Sequence, residues 1–149
     1  MNRTVVVIGG GAAGYLSAIN IAEKAANVKV VILEKTTKTL SKVKVSGGGR
    51  CNVTHACFVP KELSKYYPRG ERELLGPFHT FMTGDTIAWF SERGVELKME
   101  DDGRMFPVSN SSQTIIDCFQ KEVKRLGIEV QLSAEVQKIQ KVDEAFRLM

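Results

Sequence analysis

The start of the chain changes its apolar rhythm twice. Thr4 to Ile8 is a continuous β-branched run, the pattern expected of a strand buried on both faces. Gly9 to Gly11 break that run, and Ala12 to Ala26 is rich in Ala with Leu16, Ile19 and Ile21 interspersed, which predicts a helix packed closely on a sheet. Val28 to Leu33 returns as a second apolar strand and leads into Glu34. Strand, helix and strand make one βαβ unit, and a helical crossover implies that its two strands run parallel.

Beyond Glu34 the pattern loses its period. From Lys35 to about Gly76, the triplet Gly47-Gly48-Gly49 with Pro60 and Pro68 interrupts any regular element, so long loops and short helical pieces are expected, of the kind that more often serve function than not. Asp85 is placed to cap a short helix through Arg93, with Ile87, Trp89 and Phe90 as its apolar members and Gly94 as the stop. Val95 to Met99 and Arg104 to Val108 read as extended segments around a turn at Asp101-Asp102-Gly103, hence a hairpin. Ser111 or Ser112 can cap a helix to Leu126, in which Ile115, Ile116, Phe119, Val123 and Leu126 share one face and Gly127 is the terminator. Ile128 to Leu132 is the next strand, and Val136 to Lys141 with Ala145 to Met149 form two more around Asp143-Glu144. The fold class is therefore α/β, with a parallel sheet and a β-hairpin or meander.

Composition narrows the class without naming a function. A chain of 149 residues with 43% hydrophobic and 26% charged residues has room for one well-formed core and little for a second. The same balance excludes collagenous, disordered and disulfide-stapled proteins. Three Cys cannot all pair and are too sparse for a secreted scaffold. The apolar run Val5 to Ile8 is too short for a signal-peptide core or a membrane span, so a cytoplasmic protein with no membrane partner is expected. Without a secretion signal, the sequons at Asn2, Asn52 and Asn110 carry no weight.

Charge matters by its place. Lys35, Lys38, Lys42, Lys44 and Arg50 are five bases in a stretch with no acid, more than the net +4 of the whole chain. Such a stretch suits nucleic acid, an anionic substrate or a phosphate-bearing cofactor. No aromatic residue interleaves these bases, which argues against nucleic acid and for cofactor phosphate.

Gly9-Gly10-Gly11-Ala12-Ala13-Gly14 is G-x-G-x-x-G, and its setting is more telling than its letters. It follows an apolar strand, opens a helix, and has an acid, Glu34, 20 residues beyond Gly14 at the end of the next strand. Gly9 permits the tight turn, Gly11 lets the backbone approach a pyrophosphate, and Gly14 lets helix and strand touch. The helix start, at Ala12 and Ala13, offers N–H groups and positive potential to phosphate. Glu34 would accept hydrogen bonds from both hydroxyls of an adenosine ribose. An acid there disfavours a 2′-phosphate, so the expected dinucleotide is FAD or NAD rather than NADP.

A second cluster, Ser46-Gly47-Gly48-Gly49-Arg50-Cys51-Asn52, follows shortly after. Three consecutive Gly make poor helix and poor strand, and their use is to bring backbone hard against a flat ligand, with Arg50 and Asn52 as donors to a ring edge or pyrophosphate. His55 and His79 with the scattered carboxylates give no metal-ligand spacing, and no Ser-His-Asp order suggests a hydrolase. Cys118 reads as core, His79 as structural, and Arg104 as a surface salt-bridge residue before a substrate carboxylate binder.

Gly9 to Gly14 with Ala18, Ser46 to Thr54, and Gly103-Arg104-Met105-Phe106-Pro107-Val108-Ser109 together resemble three segments of the BaiN-like flavoproteins. These are NAD(P)/FAD-dependent oxidoreductases with bile-acid-reductase-like and aminoacetone-oxidase-like members. The resemblance spans nearly the whole chain and departs from the family pattern at His55, where Asn is usual. It implies a Rossmann-like FAD-binding fold, with FAD held by Gly9, Gly11, Ala12, Ala13, Gly14, Glu34, Lys35, Gly47, Gly48, Gly49, Arg50, Cys51 and Asn52. It also implies hydride or electron transfer between a nicotinamide, NAD(P)H, and a small organic substrate.

Residues 1–149 are accordingly expected to be the N-terminal part of one FAD/NAD(P)-binding domain, incomplete at its C-terminus and inactive alone, with an exposed sheet edge favouring self-association. Three alternatives stay open: an RNA-modifying flavoprotein, a silent dinucleotide-binding module, and a flavin disulfide reductase. The last draws on Cys51 and Cys57, but five residues separate them where that family has four. On a helix their six-residue step gives about 240° of rotation and about 9 Å of rise, too far for a bridge needing Cα atoms roughly 4.4 to 6.8 Å apart. Only a non-helical loop would permit it, and Cys51 reads better as a packed thiol beside the cofactor.

Overall fold

The structure, a computed structural model, describes residues 3–149; Asn2 and its sequon's first position lie outside them. In chain order the elements are β1 (Arg3–Ile8), α1 (Ala12–Lys24), β2 (Val28–Leu33), α2 (Ser41–Val45), a 3-10 turn (Ser46–Gly49), β3 (Thr54–His55), α3 (Pro60–Ser64) and α4 (Glu71–Phe78). They continue with α5 (Thr83–Ser91), β4 (Leu97–Met99), β5 (Arg104–Pro107), α6 (Ser112–Arg125), β6 (Glu129–Gln131), β7 (Ile139–Val142) and β8 (Ala145–Leu148). The described chain divides into two compact units, one reaching to Val43 and resuming over Phe119–Met149, the other Lys44–Cys118.

The first unit is built on a three-stranded sheet in the order β1-β2-β6. Both pairings are parallel, with Val5 opposite Val30 and Ile32 opposite Val130. The predicted βαβ unit is therefore present as read. Double-sided burial, however, belongs to β2, where Val30, Val31 and Ile32 are buried, and not to β1, whose Val5 to Val7 are half-buried and whose Ile8 is 48% exposed. The β-branched run fits either strand, but β1 has one neighbour and β2 has two, and only a central position closes off both edges.

Tyr15, Ala18 and Ile19 of α1 and Phe119 and Val123 of α6 are buried, and the rings of Tyr15 and Phe119 meet edge to face with centroids 5.9 Å apart. Arg125 on α6 donates to the buried carboxylate of Glu122 at 2.6 Å and to Glu23 on α1 at 2.7 Å. The predicted stop at Gly127 is a paired cap. Gly127 takes a φ of 65°, while its N–H reaches Lys124 O and that of Ile128 reaches Val123 O. The last hairpin also turns where expected: Val142 pairs with Ala145, and Asp143 has the positive φ, 51°, that a two-residue turn needs.

The second unit holds an antiparallel sheet in the order β3-β5-β4, so the predicted hairpin around Asp101-Asp102-Gly103 is present, with Met99 opposite Met105. Phe106 in the central strand is fully buried, and Trp89, Phe90 and Val95 are buried with it in this unit's core. Asp85 is not the N-cap of α5. It sits one turn inside, and its carboxylate accepts the N–H of Met82 at 2.8 Å. An acid in the first turn satisfies an orphan donor and the helix dipole as well from that position. Gly94 closes α5 as expected, with its own N–H on Ser91 O and that of Val95 on Phe90 O. The irregular stretch carries short helices as expected, and the last of them, α4, runs on through Gly76 and Pro77. Among the described residues, no helix is long and apolar enough to cross a membrane.

Candidate functional site

In the first unit, the glycine turn and Glu34 meet directly. β1 ends at Ile8, and Gly9, with φ of 104°, turns the chain while its N–H bonds Leu33 O at 2.8 Å. Gly14 is where helix touches strand: a Cβ there would lie 2.0 Å from Gly9 O. Gly11 is the N-cap of α1, and the first turn carries no acid. Gly11, Ala12 and Ala13 are exposed, and a Cβ on Gly11 would meet nothing within 4 Å. The backbone at the helix start is thus left bare on a side that no part of the unit fills, the geometry that admits a phosphate to helical N–H groups.

Glu34 Oε2 accepts the N–H of Gly10 at 2.7 Å, and Oε1 accepts that of Thr36 at 2.8 Å. The Thr36 and Gly10 donors hold the carboxyl below the usual glutamate range, so Glu34 is an anion at neutral pH with one lone pair of each oxygen already directed. Residues 36–40 lie over the turn. Leu40 donates its N–H to Gly10 O at 2.8 Å, the hydroxyls of Thr39 and Tyr15 are 2.9 Å apart, and Ser133 donates its N–H to Thr36 O at 2.9 Å. A Cβ on Gly10 would stand 2.6 Å from Thr39 Cγ2. Gly10 is the variable position of the G-x-G-x-x-G pattern, and Tyr15, Thr36 and Thr39 lie outside that pattern because hydroxyl residues at these places carry no spacing signal of their own.

In the second unit, the Gly triplet is a left-handed turn. Gly47, Gly48 and Gly49 have φ of 54°, 68° and 84°, and Cys51 has 63°. A Cβ on Gly47 would lie 2.7 Å from Asn52 N and 2.8 Å from Phe106 Cε1, whereas Gly48 and Gly49 face open space. Asn52 is exposed. Arg50 is engaged within its own unit: its guanidinium stacks 4.0 Å from the centroid of Phe106 and pairs with both oxygens of Glu100. Neither Glu100 nor Phe106 is visible from the Arg50 motif, since the hairpin alone brings them there.

Cys51, Cys57 and Cys118 are thiols and form no disulfide. The chain between Cys51 and Cys57 is extended, not helical, with Thr54–His55 paired to β5. Cys51 is buried, and burial pushes its thiol up against the opposing effect of a hydrogen bond with Ser46. Cys118 is buried, as read. His55 stacks on Tyr66 with centroids 4.0 Å apart and fills the space a Cβ on Gly103 would need. His79 is exposed at the end of α4. Arg104 forms the expected surface pair, Nε to Asp102 Oδ2 at 2.7 Å. Of the five bases, exposed Lys35, Lys38 and Lys42 fall in the first unit, while Lys44, bonded to Gln113, and Arg50 fall in the second.

The family model described as HI0933-like protein Rossmann domain matches residues 3–149. The chain is 27% identical over 137 residues to a 3-dehydro-bile acid delta(4,6)-reductase of Clostridium scindens, covering 92% of this chain and 32% of that protein. It is 25% identical over 146 residues to a ribosomal RNA dihydrouridine synthase of Haemophilus influenzae, covering 97% and 35%. The chain thus spans about a third of the length of these curated relatives. In fold, it matches the open conformation of a flavocytochrome c3 fumarate reductase with a TM-score of 0.68 at 20% identity, over 96% of this chain and 28% of that one.

Proposed function

The chain belongs to the HI0933-like Rossmann-domain family, and from that premise we propose that it is the FAD-binding part of a flavoprotein oxidoreductase. The observation that carries the reading is the bare backbone at Gly11 beside a fixed, ionised Glu34. Gly9, Gly11, Ala12, Ala13 and Gly14 would hold the pyrophosphate, and Glu34 with Lys35 the adenosine. In the second unit, Gly47, Gly48, Gly49, Arg50, Cys51 and Asn52 are candidate cofactor residues by the likeness of that segment to the flavoprotein signature. When bound, the flavin supplies the acceptance and donation of hydride. The protein's part is to bind and orient it. The whole protein takes its electrons from NAD(P)H and passes them to a small organic substrate in the cytoplasm, without a membrane partner, and Cys51 and Cys57 do not cycle as a pair.

The dihydrouridine synthase relative gives RNA as a second reading, favoured also by exposed Lys35, Lys38 and Lys42. Titration with FAD, followed by flavin absorbance and fluorescence, tests the first reading. Glu34→Ala should weaken binding by about tenfold or more, since a charge-assisted hydrogen bond contributes about 1.5–3 kcal/mol. Equal affinity of variant and parent would remove the ribose assignment, and retention of ribosomal RNA on a filter at physiological salt would promote the second reading.

A further inference from the structure

We infer that Tyr15 and Thr39 are positioning residues of the nucleotide site: their hydroxyl pair latches the strap formed by residues 36–40 over the glycine turn and so holds Glu34 ready for a ribose. This rests on the reading above that Glu34 receives the ribose hydroxyls. The strap is pinned at three places. Ser133 holds it through Thr36 O, Gly10 O holds it through the N–H of Leu40, and between these lies the Tyr15–Thr39 contact at 2.9 Å, the one pin made by side chains alone. Tyr15 belongs to α1, the helix whose start faces the phosphate position, and it is buried with its ring against Phe119. The latch therefore ties the strap to a fixed part of the fold.

The strap acts on Glu34 through two contacts. Its first N–H, from Thr36, directs Oε1. Thr39 Cγ2 packs over Gly10, whose N–H directs Oε2. With both oxygens held, the lone pairs left for a ligand point in set directions, and no ordering cost falls on the moment of binding. Release of the latch leaves the carboxylate in place but loosens its aim, so recognition of the ribose hydroxyls should suffer more than recognition of the phosphates.

The test uses the 149-residue chain with ADP and 2′,3′-dideoxy-ADP as probes, titrated by calorimetry. The parent should prefer ADP by about tenfold or more. Tyr15→Phe keeps the ring and Thr39→Val keeps the shape; each should cut that preference by about three- to tenfold, the size of one hydrogen bond, while Thr39→Ser, which keeps the hydroxyl but loses Cγ2, should retain most of it. A merely structural latch would lower the melting temperature and both affinities together and leave their ratio at the parent value, which would overturn the inference. If Tyr15→Phe fails to fold, the two Thr39 variants carry the same comparison. A parent that binds ADP with no preference over the dideoxy compound would instead overturn the ribose reading of Glu34 and this inference with it.

Discussion

The molecule uses glycine for opposite reasons in its two units. In the turn Gly9 to Gly14, crowding dominates: Gly14 abuts Gly9 O and Gly10 abuts Thr39, and Gly9 is the one residue there with a positive φ. In the turn Gly47 to Gly49, backbone conformation dominates: all three lie in the left-handed region, and Gly47 alone is crowded. Gly11 fits neither class, having an ordinary φ and open space around its Cβ position. Gly76 and Gly84 share both properties, so it is the place of Gly11, the exposed N-cap of α1, that makes it the proposed ligand side of the first turn. The same lesson warns against equating the two clusters because both are glycine-rich.

The sharpest break of the comparison is inside the first turn. Gly14→Ala places a methyl 2.0 Å from a backbone oxygen, and overpacking of that kind costs about 3 kcal/mol or more when the neighbour cannot move. Gly11→Ala should leave the urea midpoint unchanged yet weaken FAD binding by about tenfold or more. Gly14→Ala with a parental midpoint, or Gly11→Ala with parental affinity, would undo the distinction between a packing glycine and a ligand glycine.

A smaller effect sharpens the second turn. Gly47→Ala combines a left-handed φ, about 1–2 kcal/mol for an L-residue, with overlap onto Phe106 and Asn52, so it should destabilise by about 2–3 kcal/mol. Gly48→Ala carries the dihedral cost alone, about 1 kcal/mol. Equal denaturation midpoints for the two variants would show that Phe106 yields and that conformation is the whole cost.

The smallest expected effect is the pH limb each unit controls. Glu34 is depressed by the N–H groups of Thr36 and Gly10. Its contribution is present above the unfolded glutamate pKa and is lost as pH falls through the folded one, so Glu34→Gln should flatten the acid limb of the stability profile. Cys51 is raised by burial. Its contribution is present below the unfolded thiol pKa and is lost as pH rises towards the folded one, so Cys51→Ala should flatten the alkaline limb. Thermal melts across pH check both signs, and limbs unchanged from the parent in either variant would remove that group from its role.

The sequence by itself determined the local and periodic features. The strand Val28–Leu33, the hairpins at Asp101-Asp102-Gly103 and Asp143-Glu144, the apolar face of α6 with its stop at Gly127, and the glycine turn with Glu34 behind it all follow from residue type and spacing within one or two turns of chain. Tertiary structure alone decided whatever depends on contacts between distant segments. It made β1 an edge and β2 the centre by setting β6 beside β2. It committed Arg50 to Glu100 and Phe106, 50 and 56 positions away, and it laid Thr39 over Gly10 under the hydroxyl of Tyr15. Periodicity reports the face a residue shows and turn chemistry reports where the chain reverses. Neither reports which distant side chain arrives opposite, because that is set by the packing of whole elements against one another.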